Sequence, residues 1–119
     1  MKRPYHCILL LAGILLLASC DPQTCGLYLI ENQSTGVVVV NRGTIDPVTL
    51  APGGREQIGP VCRLGDAALS PTSVVTSESK LMRDTVLCKK DIREERNWTT
   101  TKQGKYDYEH RFTVTDGDF

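Results

Sequence analysis

The 119-residue chain has little of what chemistry at a protein surface needs: one Trp, two Phe, four Tyr and two His. His6 lies in the first 19 residues, so beyond them a hydrolytic triad could be built only around His110, and no G-x-S-x-G element accompanies it. No C-x-x-C or H-x-x-x-H pair pre-positions two zinc ligands. Long hydrophobic runs are missing too. The apolar stretch from Cys7 to Ala18 spans only about 18 Å as a helix, short of the roughly 30 Å hydrocarbon core, which excludes a permanent transmembrane helix there. Charge of one sign is equally lacking: 14 Lys and Arg face 14 Asp and Glu, interleaved along the chain. Nucleic acid is therefore excluded as an expected partner, and no cofactor is implied. Helical periodicity is nearly absent after residue 20.

What is present begins at the amino terminus. Lys2 and Arg3 precede the apolar stretch, and Leu17-Ala18-Ser19-Cys20 closes it, in the charge, hydrophobic and small-residue order of an export signal. The last four residues resemble the lipobox of bacterial lipoproteins at every position. Small side chains suit a peptidase at the scissile bond, and a thiol at Cys20 can carry a thioether-linked diacylglycerol. The resemblance implies that Met1–Ser19 are a cleaved signal peptide and that Cys20 becomes the lipidated first residue. It also implies acyl chains enough to anchor the chain stably to a membrane outside the cytoplasm. Asp21 occupies the position that sorting machineries read, and an Asp there favours the inner membrane in enterobacteria-like sorting. Membrane and face are left open.

After Ser19 there remain 100 residues, enough for one domain, and removing Lys2 and Arg3 leaves 12 basic against 14 acidic residues, a net charge of about −2. Residues 20–25 are expected to form the lipidated cysteine and a short tether, and 26–119 a single domain. Its β-branched and aromatic runs, separated by turn formers, predict a mainly β fold: a two-layer antiparallel β-sandwich, for which an immunoglobulin-like arrangement is one form. Gly26–Glu31 and Val37–Asn41 are expected to pair as a hairpin across Asn32–Gly36. The four consecutive valines suit a strand buried on both faces. Val48–Leu50 and Arg55–Ile58 predict a second hairpin, and Ser73–Ser77 and Leu81–Leu87 two further extended segments. Asp91–Arg96 predicts the one short helical turn. From Tyr106 to Val114 apolar and charged residues alternate as in a half-buried strand, turned back by Gln103-Gly104-Lys105 against Asn97–Lys102, with Trp98 as the largest apolar contact.

The lipobox, the size of the mature domain, the helical turn leading into Asn97-Trp98-Thr99, and the closing Tyr106-Asp107-Tyr108 and Phe112–Phe119 segments are similar to small lipoproteins of gut Bacteroidota. That resemblance implies location and fold, and carries no activity with it.

Three cysteines remain beyond Cys20. In an oxidising compartment one bridge among Cys25, Cys62 and Cys88 would close a loop worth roughly 3 to 4 kcal/mol in the chain-entropy model. Cys62 with Cys88 is the favoured pairing, with Cys25 as the alternative partner, and three buried free thiols are the rival arrangement. Cys25, Cys62, Cys88 and His110 also have the ligand types of a Cys3His zinc site without its spacing. His110, between Tyr108 and Phe112 on the inward face, reads as a packed residue. Lys89–Arg96 reads as a self-balancing surface turn and Asp116-Gly117-Asp118 as a solvated tail. Asp84-Thr85-Val86 resembles the short Bacteroidota O-glycosylation motif, which would need Thr85 accessible after folding. The functional expectation is a membrane-anchored, non-enzymatic binding or scaffolding module of the cell envelope, its protein or glycan partner unspecified. The alternative is a thiol-based redox or metal-binding envelope protein using Cys25, Cys62, Cys88 and His110.

Overall fold

The β-branched and aromatic runs form strands. In the computed structural model, which describes residues 22–43 and 46–119, they are β1 (Gln23–Asn32), β2 (Val38–Asn41), β3 (Val48–Leu50), β4 (Arg55–Leu64), β5 (Lys80–Arg83), β6 (Val86–Leu87), β7 (Thr99–Lys102) and β8 (Asp107–Val114). The expected signal peptide Met1–Ser19 and the expected lipidation site Cys20 lie outside the described residues. Two four-stranded sheets, ordered β4-β1-β8-β7 and β3-β2-β5-β6, pack face to face as the expected sandwich. Strand pairing is antiparallel except between β1 and β8, which run parallel in unbroken register from Cys25↔Asp107 to Asn32↔Val114.

Alternation along β1 turns Tyr28, Ile30 and Asn32 inward, each fully buried. Phe112 and Val114 of β8 join them, against Val38 and Val40 of β2 and Leu81 of β5. Burying side chains of this size contributes about 1.5 to 3 kcal/mol each. Trp98 closes the core, edge-on to Tyr28 at 6.2 Å and 5.4 Å from the Phe112 ring, its indole N–H donating to the Ile92 carbonyl at 2.8 Å.

Neither expected hairpin forms. β1 and β2 lie in opposite layers, because both edges of β1 are taken by β4 and β8 and the inward faces of β1 and β2 must cover each other. The valine run is accordingly one-sided: Val38 and Val40 are buried, whereas Val37 is 48% exposed. β3 and β4 likewise belong to different sheets, and Leu81–Leu87 is itself a hairpin, β5 and β6 turning at Asp84-Thr85. Ser73–Ser77 is not a strand: a 3-10 turn at Pro71–Val74 replaces its first half, capped by the Ser70 hydroxyl accepting from Thr72 N–H. The single helical turn expected at Asp91–Arg96 is a 3-10 turn displaced to Glu95–Asn97. Asp91 Oδ1 captures the Arg93 N–H, the Asp91 carbonyl accepts from the Asn97 side chain as well as from the Glu94 N–H, and the Ile92 carbonyl accepts from the Trp98 indole N–H. A third such turn, Asp116–Asp118, is held by a capping box with Thr115.

β1 begins at Gln23, so residues 23–25 belong to the sheet and not to the expected tether. Midway along it, one extra β4 residue bulges against Gly26–Tyr28. Gly59 occupies the bulge at φ +95°, where an added Cβ would stand 2.6 Å from the Val61 nitrogen.

Asn32 ends β1 with every polar atom satisfied. Its Oδ1 accepts from Ser34 N–H at 2.9 Å and from the Ser34 hydroxyl at 2.6 Å, and its Nδ2 donates to the Gly36 carbonyl at 2.8 Å and the Leu50 carbonyl at 2.9 Å. The last bond crosses between sheets. Truncating this side chain strands buried partners, so Asn32→Ala should lower stability by about 2 to 4 kcal/mol in urea unfolding. A loss under about 0.5 kcal/mol would show that water replaces the network.

Candidate functional site

The expected site residues do not converge. Cys25 on β1 and Cys62 on β4 stand directly opposite in the ladder, 4.1 Å apart at Cα, and form the disulfide. The favoured Cys62–Cys88 pairing is therefore corrected to the Cys25 alternative, and the arrangement with three free thiols does not hold. The physical reason is layering. Cys62 is exposed on the outermost strand of one sheet, whereas Cys88 is buried in the core, its N–H bonded to the Leu81 carbonyl of the other sheet. Register was the missing information, because a one-residue slip of β4 would have turned Cys62 away.

Two of the four residues considered for zinc are consumed by this bridge, so the Cys3His set is not assembled. Among the described residues no group of three or more His, Cys, Asp or Glu side chains could hold a metal ion. Cys88 is the one free cysteine among them, and burial pushes its thiol above its ordinary pKa. A protonated, enclosed thiol is a poor nucleophile.

His110 is 1% exposed and stacks on Tyr28 at 4.8 Å between ring centroids. Its Nδ1 pairs with the Thr100 hydroxyl at 2.8 Å, while Nε2 is buried without a well-formed hydrogen bond. Burial is the main cause that lowers its pKa. Thr100 stands opposite His110 in the β7–β8 ladder, a pairing that the sequence could suggest only once the Gln103–Lys105 turn set the register. The expected packed strand residue is what the structure contains.

A surface cleft of about 370 Å³ runs along β5, β6 and Asp91–Arg93. Two of its four cations are committed. Lys90 Nζ donates to the Thr113 carbonyl at 2.8 Å and lies 5.1 Å above the Phe112 ring, and Arg93 grips the Asp91 carboxylate through Nε and Nη2. The Arg93 hydrogen bonds hold Asp91 below the usual carboxylate range. Glu94 and Arg96 form a further pair, so the cluster neutralises itself as its composition predicts.

The acidic end is not a solvated tail. Asp116 Oδ1 accepts from the Thr35 N–H and hydroxyl, both at 2.9 Å, and from Arg83 Nη1 at 2.6 Å, bonds that depress its pKa. Thr85 is exposed at the β5–β6 turn, next to Asp84 at φ +54°, so the strand burial that would have hidden it does not occur. The pairing of Asn32 with Ser34 was missed as a structural feature, although N-x-S is the local signature of an Asx turn. Comparison with protein-family models, curated proteins and solved structures gives no match.

Thiol chemistry checks the cysteine assignment. In the native protein Cys88 should resist iodoacetamide; in denaturant it should label without reductant, while Cys25 and Cys62 label only after reduction. A Cys62–Cys88 peptide in a non-reducing digest would contradict the pairing. Acid should find His110. Its folded pKa lies below the ordinary 6.5, so the unfolded chain binds the extra proton first as pH falls. Its contribution to stability is therefore constant above about pH 7 and is lost progressively as pH drops below about 6.5. His110→Phe should flatten urea midpoints measured between pH 7.5 and 5, and an unchanged slope would assign the acid sensitivity elsewhere.

Proposed function

We propose that the protein is a membrane-anchored lipoprotein of the bacterial cell envelope, a non-enzymatic binding or scaffolding module carried on a lipidated Cys20. The observation that carries this reading is continuity: the lipobox Leu17-Ala18-Ser19-Cys20 ends two residues before Pro22, and β1, hydrogen-bonded on both edges, starts at Gln23. An anchor at Cys20 would pull on a central strand of the sandwich and not on a loose arm.

The disulfide supports export, since a bridge to an exposed cysteine, Cys62, persists in an oxidising compartment and is rare in a reducing one. The thiol-redox alternative has less behind it. Outward-facing Cys25 and Cys62 have no third thiol on their side of the sheet, and Cys88 is enclosed in the core. A binding role draws support from the outer face of the second sheet. There the register sets Val39, Met82 and Leu87 side by side, with Leu87 55% exposed. Apolar surface left in water on a sheet face is what a partner-binding module presents.

Metabolic labelling with a fatty acid tests the proposal in the producing cell. The parent chain should incorporate label and fractionate with membranes, and Cys20→Ser should do neither. A variant that labels as strongly as the parent removes the anchor, and with it the envelope-module reading.

A further inference from the structure

We infer that one end of the sandwich, formed by Leu64, Ala67, Ala68 and Tyr106, is a membrane-contact surface that rests in the phospholipid headgroup layer; the inference deepens the lipoprotein reading and rests on it. Leu64 is 74% exposed, more than Val37, Val61, Val86 or Leu87, the other exposed large hydrophobics. Its position is specific. Leu64 is the register partner of Gln23, and the N–H of the next residue, Gly65, donates to the Pro22 carbonyl at 2.8 Å. Ala67 and Ala68 follow in the same loop, both exposed. On the other side of β1 the Tyr106 carbonyl accepts from Cys25 N–H at 2.8 Å, and Lys105 Nζ lies 5.3 Å above the Tyr106 ring.

Chain length selects the occupant. Three residues from Cys20 to Gln23 reach at most about 11 Å when fully extended. The headgroup layer of one leaflet is about 5 to 7 Å thick, so a lipid on Cys20 holds Leu64 no more than about 4 to 6 Å beyond the layer at full stretch, and within it when the tether is less extended. A leucine, a tyrosine and long cationic side chains that keep their heads in water suit that interface. The charges facing this end are Arg63, Lys102 and Lys105 against Asp66 and Asp107, a near balance. Apolar insertion, and not attraction to anionic lipid, carries the contact. The opposite end is a built-in control. Thr85 sits beyond Arg83, which pairs with Val38 near the far end of β1.

The experiment uses the mature lipoprotein purified from membranes and reconstituted into phosphatidylethanolamine–phosphatidylglycerol vesicles, with and without bromine on the acyl chains. Buried Trp98 supplies a common background. Leu64→Trp and Ala68→Trp should each lose at least half of their added fluorescence to brominated lipid, while Thr85→Trp changes little, with no dependence on phosphatidylglycerol content. Equal quenching at positions 64, 68 and 85 in protein whose Cys20 is lipidated by mass overturns the contact surface alone. So does protection of position 64 that persists in detergent and tracks protein concentration, which assigns the exposed β4 edge to a second copy. An unmodified Cys20 in the same preparation overturns the anchor beneath it.

Discussion

The structure depends on β1 being paired along both edges. Antiparallel β4 takes one edge and parallel β8 the other, so a strand from the start of the domain is sealed to the strand nearest its end. Closing a loop across nearly the whole domain is entropically expensive, and the contact survives because the same residues that satisfy backbone hydrogen bonds also place Tyr28, Ile30, Phe112 and Val114 in the core. The second sheet follows as a consequence. With no free edge on β1, β2 must cross to the facing layer, and its inward valines meet the inward residues of β1.

Polar groups fasten this arrangement at three levels. Asn32 ties β1 to its own loop and, through Leu50, to the other sheet. Asp116 ties the carboxy-terminal turn to Thr35 and Arg83. The Cys25–Cys62 bridge secures the outermost strand at the end where β1 begins. The bridge also takes up two of the four side chains considered for thiol or zinc chemistry, Cys25 and Cys62. His110 is likewise committed to packing, a buried ring stacked on Tyr28.

Much of the local structure was legible. Val48–Leu50 was read at its full extent; β8 was read to within one residue, because alternation across a half-buried strand leaves a period of two in the residues themselves, and β7 to within two, through the turn at Gln103–Lys105. The end of β4 was not, since Gly59 and Pro60 look like a stop until the bulge shows how the strand continues past them. The helical turn was misplaced because Asp91, Arg93, Asn97 and Trp98 side chains compete for the backbone groups that a helix would use.

The residues alone determined the mainly β class, the strand segments with β-branched alternation, and the lipobox expectation at Cys20, all of which are encoded in neighbours a few positions apart. Which strands lie side by side, which sulfurs face each other and which leucine stands beside the start of β1 were decided only by tertiary structure. Those choices turn on edge availability and on a register with a period of two, and a chain read locally does not reveal which of its edges is already taken.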